Sequence, residues 1–365
     1  MPGKSSKRLT DIKLILKITI AWMMLSVVFT IYDFVTTAAS EYYIRTENFS
    51  FIAYLLTNLG GAFLGGIFGA SLIIFYSNRK LRKKSFPAYV FLNSLFVLIV
   101  IFLINAVISQ TITSIRYEFG FFSLDAFKHS LRFLLSIQLL RSMAIWFFVT
   151  MGTTFILRVS EKYGPGVLTD ILLGKYHKPV EEERIFMFLD IKSSTTLAEQ
   201  LGHAKYFNLL SDFYADITDA IIYNKGEIYQ YVGDEVVVSW KIRNGLKNSN
   251  CLHCFFEAKK EIEIRASNYM NKFGTIPQYK AGMHLGATMV GEIGVIKKEI
   301  AFSGDVLNTT SRIQNECNKF NVDLLISQNL LDQLESDNTL DFNRIGEIEL
   351  RGKENKVGLY SVKKK

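Results

Sequence analysis

Cysteine is scarce in this chain of 365 residues: Cys251, Cys254 and Cys317 are three thiols, too few for a disulfide framework. Cys251-Leu-His-Cys254 is a lone CxxC without a second ligand pair. Structural zinc takes four ligands, so the pair reads instead as two small residues on a helix near a domain surface. A cleavable leader is also missing, because the first apolar run has no small-residue cleavage site and further runs follow it. The net charge of +8 and the pI near 9.1 would suit a nucleic-acid partner. Its distribution argues otherwise. Lys4, Lys7, Arg8, Lys13 and Lys17 precede or enter the first apolar run, and Arg79, Lys80, Arg82, Lys83 and Lys84 follow the second. Basic clusters beside apolar runs mark cytoplasmic flanks and anionic membrane lipid, so lipid and not nucleic acid is the expected partner.

Hydrophobic residues make up 49% of the chain, 29 of them Phe, and mean hydropathy is +0.18. That excess lies almost wholly before residue 158, so the length divides into an apolar and a polar half. Crossing a bilayer takes roughly 20 helical residues. Four runs qualify, at about Ile18–Thr36, Phe51–Tyr76, Tyr89–Ser109 and Leu134–Leu157. Residues 1–157 are therefore expected to form a transmembrane region. The basic N-terminus and 78–84 loop contrast with mixed charge in 37–49 and 110–131, which places both chain ends on the cytoplasmic side of a cell membrane. Within the second run, small residues recur from Gly60 to Gly69, a pattern that fits a dimer seam and packing inside one subunit equally well. Asp33 and Arg141 lie near the outer ends of their spans, where anchoring by snorkelling is favoured over a functional role.

Residues 158–183 read as a helical linker: a polar continuation of the last span, a break at Gly164-Pro165-Gly166, and a short helix over 167–173. Residues 184–365 then read as α+β. Strands are expected at 185–189, 227–232, 236–240, 278–285, 288–292 and 323–327, and helices at 194–201, 206–223, 251–271 and 305–317. The β-α-β-β-α-β order predicts a ferredoxin-like, split βαβ sheet with its helices on one face.

Asp190 ends an apolar strand run, and Asp234 sits in a Gly233-Asp234 bend between two β-rich runs. Paired carboxylates of this kind suit Mg2+ or Mn2+. After Asp190 the chain turns into a helix through Lys192-Ser193-Ser194-Thr195, and amides at a helix N-terminus suit an anion, with Ser194 or Thr195 as the plain cap. Asn308 and Arg312 are four apart and share one helical face.

Four motifs occur in order: Phe188-Leu-Asp-Ile-Lys-Ser-Ser-Thr195; Tyr231-Val-Gly-Asp234; Ala281-Gly-Met-His-Leu-Gly286 with Val290-Gly-Glu-Ile-Gly294; and Gly304-Asp-Val-Leu-Asn308 with Arg312. Together they resemble the catalytic domain of the class III adenylate/guanylate cyclases. The four-span N-terminal half resembles, less specifically, bacterial membrane-anchored members. The resemblance implies conversion of a nucleoside triphosphate to its 3′,5′-cyclic monophosphate and pyrophosphate. It further implies two Mg2+ or Mn2+ ions held by Asp190, Asp234 and the backbone carbonyl of Ile191, with Ser193, Ser194, Thr195 and Gly233 around the phosphates. Asn308 would orient the ribose and Arg312 would stabilise the transition-state phosphate. Lys353, in Arg351-Gly-Lys353, would contact the triphosphate. Since one chain carries both residue sets, a homodimer with its sites at the subunit interface is implied.

The base-reading pair departs from the family. Where adenylate cyclases usually carry Lys and Asp or Thr, this chain has Gln230 and Ala301. A carboxamide can match adenine or, turned over, guanine; ATP is the expected substrate and GTP the alternative. Gly233-Asp234-Glu235 also invites comparison with diguanylate-type domains, but Lys192-Ser-Ser-Thr and the Asn308–Arg312 helix have no place there. A catalytically silent nucleotide-binding membrane module remains the reading from a different class, and the intact Asp190, Asp234, Asn308 and Arg312 weigh against it.

Overall fold

The computed structural model describes residues 2–38, 51–77, 81, 84–163, 174–296, 298–349 and 356–365. Lys353, Arg351, the 164–166 break and the 167–173 helix lie outside the described residues. The chain divides into two compact units, one essentially residues 5–162 and the other residues 163–365.

The first unit is helical. Its helices are α1 (Pro2–Ala38), α2 (Phe51–Ser71, continued by a π-turn over Leu72–Ser77), α3 (Phe86–Arg116), α4 (Leu124–Leu134) and α5 (Ile137–Tyr163). Among the described residues, four helical segments are long and apolar enough to cross a membrane: Asp11–Thr36, Phe51–Tyr76, Phe86–Arg116 and Ile137–Ser160. The third span is longer than its apolar run because polar residues 110–116 continue the helix. Helix α4 replaces part of the expected 110–131 loop. Ser123 caps it by accepting from the Ala126 amide at 3.2 Å, and Asp125 lies in its first turn.

Polar side chains join the spans. Trp22 Nε1 donates to Thr153 Oγ1, Asn93 Nδ2 to Thr154 Oγ1, and Asn58 Nδ2 to Thr30 Oγ1, each at 3.0 Å. The later part of the glycine stripe, Gly65 to Gly69, packs inside the subunit, whereas Gly60 is exposed. A Cβ on Gly66 would lie 2.9 Å from Thr19 Cα, and one on Gly69 would lie 2.9 Å from Val97 Cγ1. The two ionisable residues pair with each other rather than reaching separately for water: Arg141 Nη2 meets Asp33 Oδ1 at 2.7 Å, and Tyr54 donates to Asp33 Oδ2 at 3.1 Å.

The second unit is built on one mixed sheet. Its elements are β1 (Val180–Ile191), α6 (Ser194–Leu201), α7 (His203–Tyr223), β2 (Glu227–Val232), β3 (Glu235–Lys241), α8 (Ile242–Leu246), α9 (Asn250–Ile264), α10 (Ala266–Phe273), β4 (Tyr279–Ile293), β5 (Glu299–Ser303), α11 (Asp305–Lys319), β6 (Leu324–Ser327), α12 (Gln328–Leu331), β7 (Leu340–Glu349) and β8 (Lys356–Lys364). Among the described residues the strand order is β2-β3-β1-β4-β6-β8-β7, with β5 on the second half of β4. Strand β1 is antiparallel to both β3 and β4, and β4 runs parallel to β6. The two strands expected at 278–285 and 288–292 are one. Pairing with β1 runs unbroken from Val180↔Val290 to Ile191↔Tyr279 and carries β4 across Gly286.

The helices do not share one face. Side chains alternate along a strand. Ile185, Met187 and Leu189 of β1 pack with Leu209, Phe213 and Ile217 of α7 and Cys251, Leu252 and Phe255 of α9. Phe186 and Phe188 point the other way, onto Val237 and onto Val306 of α11. Helix α11 therefore lies opposite α7 and α9, with Val306, Ile313 and Cys317 on its buried stripe. It approaches closely because Gly282 offers no side chain: a Cβ there would stand 2.3 Å from the backbone N of Gln314. Cys251 and Cys254 are fully buried in the α9 core, not near a surface. Burial pushes the Cys251 thiol up to about 12 and raises that of Cys254 further, as an inert core thiol requires.

Candidate active site

Asp190 is the last-but-one residue of β1, and register sets it between Glu235 of β3 and Lys280 of β4. Asp234 fills the tight turn joining β2 to β3, where Gly233 adopts φ +63°, a left-handed conformation that glycine takes without a Cβ penalty. Tyr214 of α7 holds this turn: its hydroxyl donates to the Gly233 carbonyl at 3.0 Å, and its ring lies 4.5 Å from that of Tyr231. The hairpin and the neighbouring strand end thus bring Asp190 and Asp234 together, close enough for the charge of Asp234 to act on Asp190.

The site is an acidic cluster that Lys280, with its Nζ 3.5 Å from Asp190, only partly compensates. Burial, then the hydrogen bond and charge of Asp234, push the Asp190 carboxyl up to about 6, with Lys280 and Gln314 acting in the opposite direction. Burial, then the charges of Asp190 and Asp234, push Glu235 up to about 7. Carboxyls raised by burial and by neighbouring carboxylates are short of positive charge at neutral pH. A divalent cation with a preference for hard oxygen ligands would supply it. Among the described residues no group of three or more His, Cys, Asp or Glu side chains is arranged to hold a metal by itself. That suits Mg2+, which is commonly bound by one or two carboxylates together with substrate phosphates and water. Ile191 is buried in the core and pairs with Tyr279 of β4.

Beyond β1 the chain turns at Ser193, which has φ +55° and marks the start of α6 without giving a side-chain cap. Neither Ser194 nor Thr195 is the cap. Ser194 instead shares a hydrogen bond with Tyr206, while Thr195 is exposed. The first-turn amides of α6 thereby keep no side-chain partner at their N-terminal end, the state in which they can receive an anion. Burial and the charge of Asp234 raise both Tyr206 and Tyr214, which keeps their phenols neutral beside the acidic cluster.

Asn308 is exposed and Arg312 half-buried on α11. Among the described residues neither makes a hydrogen bond or ion pair with Asp190 or Asp234, although the same helix reaches Asp190 through Gln314. Gln230 is exposed on β2 and pairs with Val237; Ala301 is half-buried on β5 and pairs with Gly291. A bulge between Ile228 and Gln230 frees Tyr229. Its ring meets Phe302 at 4.8 Å and ties the neighbours of Gln230 and Ala301 together.

Sequence reading missed three groups around Asp190. Glu235 adjoins Asp234 and was visible only as part of the Gly-Asp-Glu triplet. Lys280 has its Nζ 3.5 Å from Asp190 Oδ2, and Gln314 Nε2 donates to the same oxygen at 3.0 Å. Both are buried. Lys280 is signalled by nothing except β1–β4 register, and Gln314 by nothing except the docking of α11 on Gly282.

Residues 176–364 match the family described as Adenylate and Guanylate cyclase catalytic domain. The chain belongs to the adenylate/guanylate cyclase family. Adenylate cyclase 2 of Rhizobium meliloti (strain 1021) is 35% identical over 208 residues, covering 57% of this chain and 57% of that protein. The adenylate cyclase of Anabaena cylindrica is 25% identical over 185 residues, covering 48% of this chain and 36% of that one. The chain thus spans little more than half the length of the first of these relatives and less of the second. In fold, the chain is similar to a bacterial light-regulated adenylyl cyclase, with a TM-score of 0.51 and 19% identity over 62% of this chain and 65% of that chain. The cyclase domain follows the four apolar helices in the chain, as in a membrane-anchored family member.

Proposed function

We propose that this cyclase-family chain is a membrane-bound nucleotidyl cyclase acting in second-messenger signalling, with ATP as its first substrate. On this reading residues 1–157 are a transmembrane region, 158–183 a linker and 184–365 the cytosolic catalytic domain, in a cell membrane with the N-terminus cytoplasmic. The observation that carries it is the meeting of Asp190 and Asp234 at one strand end, where burial and the charge of Asp234 raise the Asp190 carboxyl.

Asp190, Asp234 and the Ile191 carbonyl fit two Mg2+ or Mn2+ ions. Such ions, when bound, lower the pKa of an attacking hydroxyl and neutralise a triphosphate. The remaining work falls to the chain. Amides of the Ser193–Thr195 turn and the Gly233 turn receive phosphate oxygens, and Lys353 adds a charge at the triphosphate. Asn308 orients the ribose so that its 3′-oxygen lines up with the α-phosphate. Arg312 meets the negative charge that develops at phosphorus as pyrophosphate leaves, and stabilisation of that kind is commonly the largest catalytic contribution. Because one chain carries both residue sets, Asn308 and Arg312 are assigned to the site of a second copy. A homodimer then holds two sites. Gln230 and Ala301 face the base. The 35% identity to an adenylate cyclase supports ATP, whereas a carboxamide without a charged partner also accommodates GTP.

The test is to supply the full-length chain, in membranes, with ATP, GTP, CTP and UTP and either Mg2+ or Mn2+. Cyclic AMP with stoichiometric pyrophosphate is expected. Cyclic GMP alone would change the substrate; nucleotide binding without any cyclic product would favour a silent signalling module instead.

A further inference from the structure

Among the described residues, buried donors grip Asp190 and not Asp234. Gln314 Nε2 reaches Oδ2 at 3.0 Å, and Lys280 Nζ reaches the same Oδ2 at 3.5 Å. The two come from different elements, α11 and β4, on either side of the Gly282 contact. Gln314 is 2% and Lys280 5% exposed, so neither can swing into solvent. Neither donor takes up Oδ1. A carboxylate clamped through one oxygen has its plane and its other oxygen fixed, and that is how groups behind a metal ligand set its direction.

We propose that Gln314 is a positioning residue for the divalent-cation site: together with Lys280 it holds Asp190 by Oδ2 and so presents Oδ1 to the cation. Gln314 supplies the geometry, because a carboxamide N–H bonds along a defined direction. Lys280 supplies a second, charged donor to the same oxygen. Gln314 also stands two residues beyond Arg312, so the same helix that carries the phosphate-stabilising side chain is tied to the carboxylate. The inference rests on the cyclase reading for the purpose of the cation, but not for the clamp itself.

The test uses the full-length chain in lipid nanodiscs and Mn2+ alone as the probe, with free Mn2+ counted by electron paramagnetic resonance. Gln314→Met keeps the side-chain volume and removes both N–H donors. Its Mn2+ dissociation constant is expected to rise roughly tenfold, in the range seen when groups behind a metal ligand are removed. The metal concentration for half-maximal cyclisation should rise in parallel, with the loss recovered by adding metal and not by adding nucleotide. Should Gln314→Met not fold, Lys280→Gln, which keeps a donor and loses the charge, carries the same measurement with the same expectation. An unaltered Mn2+ dissociation constant in either folded variant overturns the proposal. Wild-type protein that binds Mn2+ with the expected variant difference, yet makes no cyclic nucleotide, would refute the cyclase reading and leave the clamp standing. Wild-type protein that binds no Mn2+ removes both.

Discussion

The raised carboxyls at the strand end make cation binding a pH-dependent event whose size can be worked out. Moving Asp190 from 3.8 to about 6 disfavours its charged form by roughly 3 kcal/mol. In the cation-free protein, the protonated carboxyl favours the folded state. That contribution is complete below the ordinary carboxylate value and is lost as pH rises through about 6 for Asp190 and about 7 for Glu235. A divalent cation binds the ionised carboxylate, so below these values each bound ion must displace a proton. Apparent Mn2+ affinity should therefore climb by roughly tenfold per pH unit below about pH 6 and level off above about pH 7. The assay is Mn2+ titration of the full chain followed by electron paramagnetic resonance, from about pH 5 to about pH 8. Asp190→Asn should abolish most of the affinity and flatten what remains. An affinity that is independent of pH, or one that falls as pH rises, would refute the argument that the cation relieves carboxyls raised by burial and by their neighbours' charge.

Three other outcomes follow from the same coordinates. Arg312→Ala should lower kcat by roughly 100- to 1,000-fold, and mixing it with Asp190→Asn protein should restore part of the activity, because the mixed dimer keeps one intact site; mixtures as inactive as their parts would rule out sites shared between subunits. Gln230→Lys with Ala301→Asp installs the usual adenine-reading pair, and kcat/KM for ATP over GTP should rise; an unchanged ratio would mean that base recognition lies elsewhere. In the membrane unit, Asp33→Ala should lower thermal stability by removing the partner of Arg141 at 2.7 Å, and the double exchange Asp33→Arg, Arg141→Asp should recover part of the loss; equal loss in the double variant would show that packing, not charge, holds those helices.

Much of the architecture was legible because it depends on local pattern. The four apolar spans follow from residue counts against a bilayer's thickness, and the strand–turn–helix run around Asp190 follows from an apolar run ending in polar, helix-starting residues. Other features were not legible. Strand β4 was split at Gly286 because a glycine between apolar stretches reads as a break, whereas pairing with β1 on one edge and with β6 and β5 on the other carries the strand through. Strands β5, β7 and β8 were missed since they hold together by edge pairing rather than by their own periodicity. Helix α4 was taken for loop because its apolar residues are interrupted by Lys128, His129 and Arg132, and only the Ser123 cap announced it.

By itself the amino-acid sequence determined the four apolar spans, the family and the candidates for the site: two carboxylates, an Asn and an Arg. These are properties of composition, spacing and residue type, all encoded along the chain. Only the tertiary structure decided what surrounds them. It placed α11 on the sheet face opposite α7 and α9, paired Asp33 with Arg141, folded the later part of the glycine stripe into its own subunit, and closed Gln314 and Lys280 on Asp190. Each of those contacts joins residues far apart in sequence, through strand register, a missing Cβ or the packing of one helix on another, and such contacts exist only once the chain has folded.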